Sequence, residues 1–411
     1  ATLSLDGESG ESDSQRRMVQ NARTLLKRVR ELSDEDRRAL ADITINRCAL
    51  VRVVVNDKDQ GFKVFRVLNT RGKEPGAHDI IKTELFQRSK FTTKEAATYS
   101  EQWAEHEAVL GGSAFDDLLR QIRSIYDKSS KGELITGFLK NVIPKVTARG
   151  FLDELLPRYV EAYKIITTAR VKEGPHAQLI SDKLNQMRAL DQTSWRAPAL
   201  KFLVEQGVDH EDAPEFFTKL ERLSYIVMLV LTDRDQRTKR FNKVNENIGN
   251  KRALNGRGSP FNISKDESRR AFDRMLGRFA TFGQRRSMAL RLNAALDGGF
   301  TIAPQSDATV EHVLPRNISE DSHWMIVWPD PAKRREQCDT LGNFVLLTNK
   351  VNQKADRMDY RAKKDVYFNG GGGQDFALTR DLVDQDAWTS EVVRKRTERL
   401  AEILMMEWQL T

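Results

Sequence analysis

Apolar positions recur three or four residues apart along most of this chain, which is the spacing of helices with one buried face. Over 15–32 the residues Met18, Val19, Ala22, Leu25, Leu26 and Val29 keep that spacing and predict a helix. Ser33, followed by Asp34, Glu35 and Asp36, reads as an N-cap with an acidic first turn opening a second. Further helices are expected at 102–110, 115–126, 134–142, 151–169 and 177–187, separated by Gly111-Gly112, Pro144, Gly150 and Gly174-Pro175. The pattern continues at 199–205, 213–231, 235–248, 264–276 and 285–296. It closes with a helix over 388–408 that carries Val392, Val393, Leu400, Ile403 and Leu404 on one face. Strand signals are few. The β-branched run at 50–55 is the clearest, 62–68 reads as strand or short helix, and 300–314 and 344–347 are β-like. A basic amphipathic stretch follows at 349–367. No period of 20–50 residues recurs, which argues against a solenoid. The expected fold class is mainly α and multidomain, with small β elements near both ends.

Length sharpens this picture: 411 residues are more than one comfortable core, so two or three domains are expected. No apolar run approaches the roughly 18 residues of a membrane span, and the first residues hold no signal-like stretch. The expectation is a cytoplasmic protein without a membrane partner. The chain opens on Ala1 rather than Met, as one beginning inside a longer protein would. Cys48 and Cys338 are its two cysteines, too few for a disulfide scaffold or an all-cysteine metal site. Lysine and arginine outnumber the acids 67 to 59, a net charge of +8 that suits a polyanion but does not identify one.

The chemistry concentrates near the C-terminus. Val310-Glu311-His312-Val313-Leu314-Pro315 is followed by Leu341-Gly342-Asn343 with the apolar run 344–347, and then by Asn352. A histidine ending one strand, an asparagine in the turn before a second, and a ligand-type residue nine positions on resemble the ββα-metal nucleases of the HNH group. Such a plan brings two strands and a helix to one divalent cation at the scissile phosphate. His312 is then the expected general base, since a neutral imidazole can take a proton from the attacking water. Asn343 would orient its loop. Glu311 is an expected metal ligand and Asn352 a catalytic residue that binds the metal or positions a ligand, a carboxylate and an amide oxygen that suit Mg²⁺ or Mn²⁺. His312 alone would more often be an ordinary histidine; the framing turn, strand and Asn352 are what raise it. Around these residues Lys350, Lys354, Arg357, Arg361, Lys363 and Lys364 are candidate DNA contacts. On one continuous helix Lys354, Arg357 and Arg361 would share a face and position a duplex without reading its sequence. Trp324 and Trp328 are expected in the local core, and Cys338 lacks a partnered histidine that would make it a nucleophile.

The same stretch, with Lys363, Tyr367 and the terminal segment 388–408, resembles the C-terminal nuclease domain of the GmrSD family of modification-dependent restriction enzymes. Residues 65–73, with Asp79, Ile80, Ile81 and Lys82, are similar to part of that family's ParB/sulfiredoxin-like domain. The family's Asp-Gly-Gln-Gln-Arg motif has no counterpart, because Ser14-Gln15-Arg16-Arg17 lacks the Asp-Gly turn, so nucleotide hydrolysis is not assigned. The resemblance implies a truncated ParB-like domain at 1–91, a helical middle at 92–210 and a helical plus HNH-type nuclease domain at 211–411. It further implies a divalent-metal-dependent DNA endonuclease, nicking or cleaving, of a restriction or anti-phage system that senses modified duplex DNA; a homo-oligomer or other defence subunits are the expected protein partners. Two alternatives stay open: a DNA-binding regulator with a degenerate nuclease fold, and a nuclease acting on RNA.

Overall fold

The computed structural model describes residues 13–49, 76–127, 133–299, 302, 306–369 and 373–410. The expected strand at 50–55 and the element at 62–68 lie outside them. The structure is mainly helical, 70% helix and 3% strand, and among the described residues a single two-stranded sheet is positioned by helices. Two compact units divide the chain, Ala1–Glu161 and Ala162–Thr411. The boundaries expected near 91 and 210 fall inside these units.

In the first unit the Ser33 cap forms as its sequence dictates, its hydroxyl accepting from the Asp36 amide at 3.1 Å. Helix α1, Ala77–Ser89, was not foreseen from periodicity. It is followed by α2, Thr93–Leu110, and α3, Gly112–Tyr126. Thr92 and Glu95 open α2 with a reciprocal capping box, which satisfies two otherwise unpaired amides. Gly111 separates α2 from α3 at φ 80°, a conformation that favours glycine. Ile81, Leu85, Trp103, Phe115, Leu118 and Ile122 are buried where the three helices meet.

The second unit is built around α4, Ala213–Val230, which is apolar nearly all round and correspondingly buried. Its buried Glu221 is paired with Arg291 at 2.8 Å and accepts from the indole of Trp408 at 3.3 Å. Helix α5, Lys265–Leu276, opens on a Ser264–Glu267 capping box, and α6, Phe282–Leu296, supplies Arg291. Strand β1, Ala308–His312, pairs antiparallel with β2, Phe344–Thr348, with His312 opposite Phe344 and Glu311 opposite Val345. The long excursion between the strands carries Trp324 and Trp328, both buried as expected. Their indoles donate to the carbonyls of Met358 and Trp388. Phe344 to Leu347 are buried on both faces, which is why β2 reads as a continuous apolar run without alternation.

Helix α7, Asn349–Ala355, follows β2 directly, with Thr348 as its N-cap. The continuous helix on which Lys354, Arg357 and Arg361 would share a face is interrupted. Asp356 takes φ 28° and ends α7, and α8 begins afresh at Tyr360 and runs to Asn369. Lys354, Arg357 and Arg361 therefore do not share one helical face, because the register that would align them is lost at the break. Helix α9, Ser390–Glu407, closes the unit against the 3₁₀ turn Leu341–Asn343. A side chain at Gly342 would run into the Val393 carbonyl and Thr397 of α9. From α9 the buried Arg396 guanidinium binds the carbonyls of Gly342 at 2.7 Å and Phe344 at 2.9 Å and pairs with Asp381 at 2.8 Å.

Candidate functional site at the hairpin

His312 ends β1, and successive side chains of a strand point to opposite faces. Val310 and His312 share one face; Thr309 and Glu311 share the other. The His312 side chain is 17% exposed, with its ring edge-on to Phe344, and its Nε2 lies 3.1 Å from Asp339 Oδ1. The same carboxylate accepts from Arg316 at 3.0 and 2.5 Å and from Arg278 at 3.1 Å, with Arg285 3.9 Å away. Burial works against ionising Asp339, but the hydrogen bonds from His312, Arg316 and Arg278 outweigh it and hold its carboxyl below the usual range. A carboxylate accepts only, so Nε2 carries the proton and Nδ1 is left with the lone pair. Burial also pushes the imidazole pKa down, helped by Arg316 and opposed by Asp339 and Glu311. The ring is therefore neutral near pH 7, with a basic nitrogen held in a fixed orientation.

Asn343 is fully buried and ties the segment after β1 in place. Its Oδ1 accepts from the Leu314 amide at 2.7 Å and the Trp388 indole at 3.0 Å. Its Nδ2 donates to the carbonyls of Leu314 at 3.0 Å and Cys338 at 2.8 Å. The amide thus links the chain just beyond His312 to the chain just before Asp339, fixing both partners of the imidazole–carboxylate pair.

The other face is arranged differently. Glu311 is buried, ion-paired with the fully buried Lys363 of α8, and accepts from the Tyr367 hydroxyl at 3.2 Å. The Lys363 ammonium also donates to the His312 carbonyl at 2.9 Å. Asn352, on α7, donates from Nδ2 to Thr309 Oγ1 at 2.9 Å and so lies on the Glu311 face rather than beside the imidazole. As arranged, these donors do not fit a hydrated Mg²⁺ or Mn²⁺: an ammonium already neutralises Glu311, and Tyr367 closes on the same oxygen.

Of the expected DNA contacts, Lys350, Lys354, Arg357 and Arg361 are exposed. Lys363 is not available to a phosphate because its ammonium is spent inside the fold. Lys364 donates to the carbonyls of Val383 and Gln385 at 2.9 and 2.8 Å. Asp339, Arg316 and Arg278 belong to no motif in the sequence and join the site only in the fold. The available signal was positional, an arginine four residues after His312 and an aspartate four before Asn343. Cys338 is buried, and burial, with the neighbouring Asp339, pushes its thiol up to about 12, far from a nucleophile's range.

The second unit therefore contains a helix-supported β-hairpin that presents an oriented neutral histidine among arginines, an arrangement suited to hydrolysing a phosphate ester. Residues 263–403, about a third of the chain, match the family model of GmrSD restriction endonucleases, C-terminal domain. No curated protein matches the chain. The match makes this segment similar to the C-terminal domain of restriction endonucleases. Among the described residues no helix is long and apolar enough to cross a membrane.

Proposed function

We propose that the chain is a DNA endonuclease of a bacterial restriction or anti-phage system, of the HNH type, with its chemistry at His312. The observation that carries this reading is the partly buried Asp339–His312 pair at the end of β1, inside the matched segment. Nδ1 of His312 takes a proton from the attacking water, Asp339 holds the ring, and Asn343 holds the loop. Arg316 and Arg278, roughly half exposed beside Asp339, offer charge to the scissile phosphate. Lys350, Lys354, Arg357 and Arg361 position the duplex from neighbouring backbone. Dependence on Mg²⁺ or Mn²⁺ and preference for modified DNA rest on the family resemblance. Glu311 and Asn352 as ligands conflict with the Lys363 pairing, so no step is routed through an ion.

A supercoiled-plasmid assay with Mg²⁺ or Mn²⁺ tests this directly. The parent should nick or cut, and His312→Ala should lower the rate at least about a hundredfold, the contribution expected of a general base. Equal cutting by both proteins would remove His312 from the mechanism. Cutting that survives EDTA would remove the metal. Mobility shift without cleavage by the parent, on unmodified and modified DNA alike, would favour a binding protein.

A further inference from the structure

We propose that the first unit holds a binding site for a divalent transition ion of the zinc type, formed by His78, Asp79 and Glu107. His78 and Asp79 stand in the first turn of α1, and Glu107 reaches them from the last turn of α2. The three ligand atoms all lie within 4.8 Å of one another, the one such grouping of histidine, cysteine and carboxylate side chains among the described residues. His78 Nε2 is 3.7 Å from Asp79 Oδ2 and 3.8 Å from Glu107 Oε1. Those separations are too long for hydrogen bonds. They approach the edge, about 3.4 Å, of a tetrahedron whose bonds are about 2.1 Å, the usual length for zinc with nitrogen and carboxylate oxygen.

A second observation points the same way. His78 is 5% exposed, and its Nδ1 is 2.7 Å from Asp116 Oδ1. The Asp116 carboxylate also accepts the His78 backbone amide at 2.8 Å, so ring and backbone are fixed together. A carboxylate holding one ring nitrogen while the other stands 3.7 and 3.8 Å from two further carboxylate oxygens is the outer-shell arrangement of metal-bound histidines. The ring also packs against Gly76 and Gly112, and a side chain at Gly76 would collide with it. The fixed charges suit the ion. Asp79, Glu107 and Asp116 are three carboxylates, and Lys82, which feels the first two from the next turn of α1, is the opposing ammonium. With the imidazole neutral, a dication is what this set lacks. An imidazole with two carboxylates leaves room for water in the remaining position and suits zinc better than Mg²⁺. This inference does not depend on the nuclease reading.

The test is titration of the chelator-stripped full chain with zinc chloride by calorimetry, repeated with Co²⁺ followed by visible absorption. One zinc should bind per chain at this site. Asp79→Asn and Glu107→Gln should each weaken it at least about tenfold, while His312→Ala should leave it unchanged. His78→Gln should abolish the Co²⁺ bands, with a thermal melt confirming that the variant is folded. Absence of zinc uptake by the parent, or affinity unchanged in both carboxylate variants, overturns the site. Equal competition by Mg²⁺ overturns the assignment to a transition ion.

Discussion

At the scale of single residues, the behaviour of His312 is decided by a carboxylate that is distant in sequence. Asp339 fixes the proton on Nε2 and, by its charge, partly restores the basicity that burial removes. Asp339→Asn should therefore have two effects that a merely structural change would not combine. Plasmid cleavage should slow by about ten- to a hundredfold, the usual cost of losing an orienting partner. The acid limb of the pH–rate profile should also move to lower pH, because Arg316 and Arg278 then face the ring without their counter-charge. An unchanged limb would mean that Asp339 does not act through the imidazole. The stability consequence has the same direction for both groups. Their folded pKa values lie below the unfolded ones, so the stabilisation is present at neutral pH. His312's share begins to fade as pH falls through about 6.5 and Asp339's as it falls through about 4. Asp339→Asn should flatten the acid end of the stability profile, measured by urea midpoint against pH. The placement of His312 at a strand end and of Asn343 in the turn before the second strand was legible from sequence, because that framing is local. Asp339 was not, because nothing in the sequence distinguishes it from the other acids before the fold brings His312, Arg316 and Arg278 onto it.

At the scale of elements, the hairpin is held from behind by α8 as well as along its own ladder. The Lys363–Glu311 pair is fully enclosed, and Lys363 continues to the backbone of His312. Burying two charges costs much of what their attraction returns, so the pair is better understood as specifying how α8 docks than as net stabilisation. Lys363→Met should leave Glu311 charged and unpaired, at a cost of about 3–5 kcal/mol by chemical denaturation. Adding Glu311→Gln should recover most of that loss, since the orphaned charge is then gone. Additive losses in the double variant would show that the two side chains act separately. The sequence pattern suggested the opposite use for both residues, a metal ligand and a phosphate contact. Periodicity marks apolar faces, and it carries no signal for a lysine paired inward across about 50 positions. The break at Asp356 was hidden for a related reason: the surrounding residues are good helix formers, and only the φ of 28° shows that the chain turns there.

At the scale of the whole molecule, most helices were legible because each buries one face, whereas the division into units at Glu161 was not, since no linker-like composition marks it. The charge excess of +8 was legible too, but its consequence depends on which cations remain exposed. Lys350, Lys354, Arg357 and Arg361 are exposed, while Lys363 and Lys364 spend their ammonium groups within the fold. Each phosphate contact releases condensed counterions and adds about 0.9 to the slope of log affinity against log salt. Neutralising the four exposed residues together, by glutamine substitution, should therefore lower that slope by up to about 3 to 4 for duplex DNA. The loss in affinity should be nearly uniform across sequences, as expected of backbone contacts. Neutralising Lys364 should leave the slope unchanged, since its ammonium already serves the carbonyls of Val383 and Gln385. Filter binding at several salt concentrations separates the two cases. If the Lys364 variant changes the slope as much as one of the four, then α8 meets the duplex through a face other than the one carrying Arg361.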